Sequence, residues 1–178
     1  MQDGGRSASA KCNPLIPWVQ LVDEFGPMAY RTALRIVGQT ADAEDVLQDV
    51  FLEVHRLWQS REVANWEAVL RSLATRRAID LLRRSKGEES LHQPIADHRA
   101  APEDLIREQE LQVEVRRAIA RLPQQQAEVF ALHFLDQQSH QEIAAALKIS
   151  AHAVAVALHK ARAKLETDLE HLLSPEEY

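Results

Sequence analysis

Charge is the chemistry this chain offers most plainly, and it is sorted into two adjoining stretches. Between residues 38 and 60, Asp42, Glu44, Asp45, Asp49 and Glu53 stand against Arg56 alone, a net charge of −4. Between residues 61 and 86, Arg61, Arg71, Arg76, Arg77, Arg83, Arg84 and Lys86 stand against Glu62, Glu67 and Asp80, a net of +4. A row of arginines suits phosphate, and a carboxylate-rich face steers and registers a basic partner. In a chain of 178 residues with net charge −6, neighbouring segments of opposite sign suggest two different partners. The competing expectation is pairing within the chain, for instance Asp80 with Arg84 one turn on, which would absorb one or two of these charges but hardly all. A third set of groups lies near the C-terminus, where His152, His159, Lys160, Arg162 and Lys164 share one stretch.

Covalent chemistry finds less support. The eight histidines stand at 55, 92, 98, 133, 140, 152, 159 and 171, and none forms the i, i+4 pair with an intervening Glu expected of a helical zinc site. There is no glycine-rich phosphate loop and no nucleophile elbow. The single Cys12 excludes a disulfide within the chain and suits a reducing compartment. No enzyme activity, metal or cofactor is therefore expected. No apolar run approaches a membrane span, and the N-terminus lacks a signal-peptide core. A cytoplasmic protein without membrane insertion is the expectation.

The elements that must position these groups are helical. Alanine, leucine, valine, arginine and glutamate are abundant and aromatics are few, which favours helix over strand. Residues 1–14 have no periodicity and are expected to be disordered. Trp18, Leu21, Val22 and Phe25 make a helical stripe, interrupted at Gly26-Pro27 and resumed through Tyr30, Leu34 and Val37, with Gly38 as C-terminal cap. The acidic stretch then carries Leu47, Val50, Phe51, Val54, Leu57 and Trp58 at three- and four-residue steps, a strong amphipathic helix. The basic stretch, with Asn65 as N-cap, turns Trp66, Leu70, Leu73, Ala74, Ala78 and Leu81 inward. Residues 87–103 lose all periodicity and read as a flexible linker.

Beyond the linker, Leu111, Val115, Ile119 and Leu122 mark one helix, and Pro123 opens the next, which carries Val129, Leu132, Phe134 and Leu135. Residues 139–165 read as a helix-turn-helix. Ser139 with Glu142 is a capping box, Lys148-Ile149 makes the turn, and Ser150 is the N-cap of a second helix bearing Val154, Leu158, Ala161 and Leu165 inward. That geometry suits a recognition helix in a DNA major groove, or equally an ordinary packed helix pair. Residues 174–178 form a short tail. The fold class is all-α, with two small helical domains, at 15–86 and 104–173, joined by a flexible linker.

With both blocks laid out, the sequence resembles the extracytoplasmic-function (ECF) class of bacterial RNA polymerase sigma factors. The resemblance is carried by DAEDVLQDVFLEV at 42–54, RRAIDLLRR at 76–84, LPQQQAEVFALHFLDQQSHQEIAAALKIS at 122–150, and LHKARAKL at 158–165. It implies that the first domain is similar to the region that docks on core RNA polymerase and melts the minus-ten promoter element. The second would then be similar to the helix-turn-helix domain that reads the minus-thirty-five element. Asp42, Asp45, Gln48, Asp49 and Phe51 stand where the family contacts core polymerase. Arg71, Arg76, Arg77, Arg83 and Arg84 would bind phosphates of the separating strand, and the loop from Arg61 to Asn65 would hold an extruded base. In the helix-turn-helix, Ser150, His152, Ala155, Val156, His159, Lys160 and Arg162 would meet promoter DNA.

Departures from the family pattern sharpen these expectations. Arg76 stands where the family usually has Asn, and Val69 where it usually has Trp, with Trp66 nearby as a substitute for the lost bulk. The stretch AHAVAVA at 151–157 replaces the family's polar and basic residues. Ala155, Val156 and Ala157 cannot donate hydrogen bonds to base edges, so weak reading of the upstream element is predicted. The resemblance implies promoter DNA and core polymerase as partners, and relatives are commonly held inactive by an anti-sigma factor. The rival expectation is a helix-turn-helix regulator that works without polymerase, or a sigma-like protein acting mainly through protein contacts.

Overall fold

The computed structural model describes residues 16–60, 63–88 and 103–173, and the regular elements among them are all helical. The N-terminal stretch expected to be disordered, Arg61, most of the linker and the tail lie outside the described residues. Three long helices come first: α1 (Trp18–Val37), α2 (Thr40–Ser60) and α3 (Trp66–Glu88). Four follow the linker: α4 (Glu103–Arg121), α5 (Gln124–Phe130), α6 (His140–Leu147) and α7 (Ala151–Leu173), with a π-helical turn (Ala131–Leu135) after α5.

Helix α1 corrects one expectation, because it runs unbroken through Gly26 and Pro27. A proline inside a helix costs about 3 kcal/mol. Leu21 on one side of the pair and Ala29, Ala33 and Ile36 on the other are all fully buried in one core, so packing holds the helix through the defect. Gly26 has a role of its own there. The Phe51 ring lies against it, and a Cβ at that position would stand 3.3 Å from the ring edge. Pro123 corrects another by one residue, serving as the N-cap of α5 and not as its first helical residue. Helix α3 also runs to Glu88, two residues into the stretch read as linker.

The inward stripes are otherwise mostly where periodicity put them, but Leu111 and Phe134, expected to face inward, are exposed. Val50 and Val54 from α2, and Leu70, Ala74 and Ala78 from α3, are fully buried. Trp66 is also buried in this core, and Val69 packs against it. One core cluster continues across the linker, joining these residues to Ala118, Ile119, Leu122, Ala127, Ala131, Ala161 and Leu165. A second, smaller cluster of Val129, Leu132, Ile143, Val154, Ala157 and Leu158 holds the C-terminal helix pair together.

The two halves are packed against each other, and the contact is rich in arginine. Arg83 of α3 donates to the carbonyls of Ala120 (3.2 Å) and Leu122 (2.8 Å), at the end of α4, and to Gln124. Arg116 of α4 donates in return to the carbonyl of Ile36 (3.2 Å) at the end of α1. Each half therefore supplies a cation to carbonyls that a helix C-terminus leaves without intrahelical partners.

Candidate nucleic-acid interface

The helix-turn-helix is built by its caps. Ser139 Oγ accepts from the Glu142 N–H (3.3 Å), while Glu142 accepts from the Ser139 N–H (2.8 Å), a complete capping box. Those bonds pull the Glu142 carboxyl below its ordinary range. Lys148 adopts a left-handed conformation (φ 55°) and ends α6, and Ser150 Oγ accepts from the Ala153 N–H (3.1 Å) to start α7. The two helices meet at 104°, within the range of DNA-binding helix pairs. Val154, Leu158, Ala161 and Leu165 are all buried, as their spacing predicts.

Helix α7 presents His152, Ala155, Val156, His159 and Ala163 to solvent at steps of three and four. Lys160, Arg162 and Lys164 are exposed beside them. Ala157, grouped with the reading face in sequence, is buried in the small core instead. Arg162 lies over the Phe134 ring, 4.9 Å from its centre. The reading surface is thus apolar, with two histidines and a cationic flank.

On α2, the exposed stripe is Asp45, Gln48, Asp49 and Leu52, with Arg56 one turn further. Phe51 is not part of it. Its ring packs edge-on against Trp18 (6.0 Å between centres) and over Gly26, so the apolar residue at this surface is Leu52, which is 62% exposed. The signal was available in the sequence, since positions 45, 48, 49 and 52 share one helical face and position 51 does not. Asp42 is half-buried at the stripe's edge, where burial and then the neighbouring Asp45 charge push its carboxyl up. Asp45, Gln48, Asp49, Leu52, Leu81 and Arg84 line a shallow groove between α2 and α3.

The α3 arginines are more engaged than the charge pattern suggested. Arg71 pairs with Glu67 (2.7 Å) and with Asp136 across the halves. Burial opposes its charge, but its hydrogen bonds to Glu67 and Asp136 outweigh that and hold its pKa above the ordinary value. Arg76 pairs with Glu128 (3.2 Å), Arg77 with Glu53 of α2 (2.6 Å), and Arg83 caps α4. Intramolecular contacts therefore occupy four of the five α3 arginines assigned to DNA, a correction to the expectation of one or two. Arg84 is exposed. Asn65 fills its predicted role as N-cap, its Oδ1 accepting from the Ala68 N–H (2.9 Å).

Two family models match, "Sigma-70 region 2" over residues 21–88 and "Sigma-70, region 4" over residues 112–165. The ECF RNA polymerase sigma factor SigF of Caulobacter vibrioides is 33% identical over 130 residues, covering 71% of this chain and 70% of that protein. The chain belongs to the ECF sigma factors of bacterial RNA polymerase. A second relative, the ECF RNA polymerase sigma factor SigE of Mycolicibacterium smegmatis, is 27% identical over 154 residues. That alignment takes in 83% of this sigma factor but spans only 60% of the relative's length. Among solved structures, the sigma factor RpoE in complex with the anti-sigma factor NepR from Bartonella quintana shares the fold at a TM-score of 0.51 and 19% identity. The match covers 86% of this chain and 96% of that one. No single helix among the described residues is long and apolar enough to cross a membrane.

Proposed function

We propose that this chain binds core RNA polymerase and directs promoter recognition, DNA melting and transcription initiation, in the cytoplasm. The observation that carries the reading is the exposed stripe of Asp45, Gln48, Asp49 and Leu52 on α2, set beside the arginine-bearing α3. A basic polymerase surface meeting this stripe gains charge steering and register from the carboxylates, and apolar contact from Leu52. Next to it, Arg71, Arg76, Arg77, Arg83 and Arg84 bind strand phosphates as the duplex opens. The loop through Asn65 accepts an unstacked base. Melting needs no covalent step: single-stranded DNA gains contacts that the duplex does not, and the equilibrium shifts accordingly. Promoter DNA is the second partner, and an anti-sigma factor is a third, since the same fold is bound by one in the Bartonella complex. The two domains of the proposal are residues 15–86 and 104–173.

Reconstitution with purified core polymerase tests the reading. Asp45→Lys and Asp49→Lys together reverse the stripe's charge and are expected to weaken core binding at least tenfold and abolish promoter-dependent transcription. Core binding unchanged by both substitutions would sink it. The apolar face of α7 favours a secondary reading in which upstream contact is chiefly to phosphates, through Lys160, Arg162 and Lys164. A footprint with strong sequence-specific upstream protection that survives replacement of His152, His159 and Lys160 would overturn that reading.

A further inference from the structure

The outer face of α7 carries little that can exchange a hydrogen bond with a base. Its first three turns expose Ala151, His152, Ala155, Val156, His159 and Lys160. Ala155 and Val156 each stand three or four residues from both histidines, so they occupy the middle of one face and the histidines its two ends. Seven residues of helix separate the histidines by about 10 Å along the axis, roughly the rise of three base pairs. Val154, Ala157 and Leu158 are buried, which fixes the phase of the helix and keeps this face outward. The neighbouring polar groups are engaged or lie at the margin. Ser150 Oγ accepts from the Ala153 N–H (3.1 Å) as the N-cap, and the Arg162 guanidinium lies over the Phe134 ring. Val156, at the centre, is 38% exposed.

We infer that this face reads the 5-methyl group of pyrimidines in the major groove, and not the hydrogen-bonding edges of the bases. The inference rests on the assignment of α7 to upstream promoter DNA made above, and it names what the helix selects there. Of the groups that a base pair shows in the major groove, the acceptors and amino donors need a polar side chain, whereas the thymine methyl is met by an apolar one. Ala155 and Val156 offer methyl groups on short, stiff stems, so contact costs them little side-chain entropy. Beside its 5-methyl carbon, thymine carries an oxygen at C4 and 5-methylcytosine an amino group. A face with neither donor nor acceptor at its centre has no means of telling the two apart. It therefore takes 5-methylcytosine in place of thymine, and methylation of an upstream cytosine creates a contact that the unmodified base lacks. Lys160, Arg162 and Lys164 are exposed on the flank and supply most of the affinity through phosphates. The methyls add a modest preference, about fourfold for each one buried against apolar surface.

The test uses the full chain assembled with purified core polymerase. The complex is offered duplexes with a randomised upstream segment ligated to one unmodified downstream duplex, and the bound sequences are counted against the input. Three pools differ only in the pyrimidine methyls of the upstream segment: thymine with cytosine, uracil with cytosine, and uracil with 5-methylcytosine. In the first pool, thymine is expected to be enriched about fourfold at one or two upstream positions. In the second, which holds no methyl, enrichment at those positions should vanish, and in the third it should move to the methylated G·C pairs. Val156→Ser is expected to lose the methyl-dependent enrichment at one position. Val113→Ser replaces an equally exposed valine on α4 (39%) and should leave all three patterns unchanged. Enrichment of the same pairs in the methyl-free pool would overturn the inference, as would a lack of upstream enrichment in every pool, or a Val156→Ser pattern identical to that of the unaltered chain. Footprints on the bound duplexes separate the two readings. Upstream protection without methyl dependence removes only the methyl reader, whereas failure to bind core, or core binding with no upstream protection, removes the assignment of α7 to DNA and the inference with it.

Discussion

Gly38 meets two demands that no other residue type meets together. Its φ of +82° lets its N–H close α1 on the carbonyl of Leu34 (2.8 Å), and its missing Cβ leaves room for the Arg116 guanidinium. Burial of that guanidinium lowers its pKa. Gly38→Ala should destabilise the chain by about 1–3 kcal/mol in urea denaturation, combining left-handed strain with displacement of Arg116. Arg116→Ala should remove part of that penalty in the double variant, and strictly additive effects would show that the close approach does not matter. The cap was readable in the sequence because a glycine after an apolar stripe is a local signal. Arg116, whose Nε reaches a carbonyl 80 positions away, left none. Phe51 and Leu52 differ in the same way. Helical phase separates them in the sequence, and the packing of Phe51 against Trp18 and Gly26 agrees with that phase.

At the level of the element, the helix-turn-helix is set by bonds that span three residues, which is why residues 139–165 were legible almost entire. Ser139→Ala removes one side of the capping box and is expected to cost about 0.5–2 kcal/mol. Glu142 gives the box a pH dependence of known sign. Its hydrogen bonds to Ser139 hold its folded pKa below the ordinary glutamate value, so its contribution is present above that ordinary value and is lost as pH falls through the lower, folded one. Glu142→Gln can keep the box's geometry, and melting temperatures followed from pH 6 to pH 3 should therefore fall less in this variant. Asp42 has the opposite sign. Burial raises its pKa above 3.8, so the folded chain loses stability as pH rises through that range. Asp42→Asn is expected to raise the melting temperature at pH 7 and to lose that advantage by pH 3. A gain that persisted at pH 3 would mean that packing, and not charge, was responsible. Pro27 marks the limit of such local reasoning, because a breaker was read as a break where the buried stripe on both sides keeps one helix.

At the scale of the molecule, the linker suggested halves that move freely, and the described structure packs them together. The reason lies in contacts without a local signature. Thr32 and Arg35 reach Asp136 across 104 and 101 positions, and the core that holds Leu70 and Ile79 also holds Ile119 and Leu122. Charge counting located the arginine-rich helix but could not tell that Asp136 and Glu128, on the far side of the linker, would meet it. A shared core has a thermodynamic consequence. Helices α1–α3 by themselves would expose the surface that α4 and α5 cover, so neither half has its full stabilisation without the other. The chain should unfold in a single calorimetric transition, with the directly measured enthalpy equal to the van't Hoff enthalpy. Asp136→Asn leaves the shared apolar contacts in place but weakens the polar set around them, a change expected to lower the midpoint and broaden the transition towards two steps. Two well-separated transitions in the unaltered chain would mean that each half folds alone, and that the arginine contacts between them add little to the stability of either.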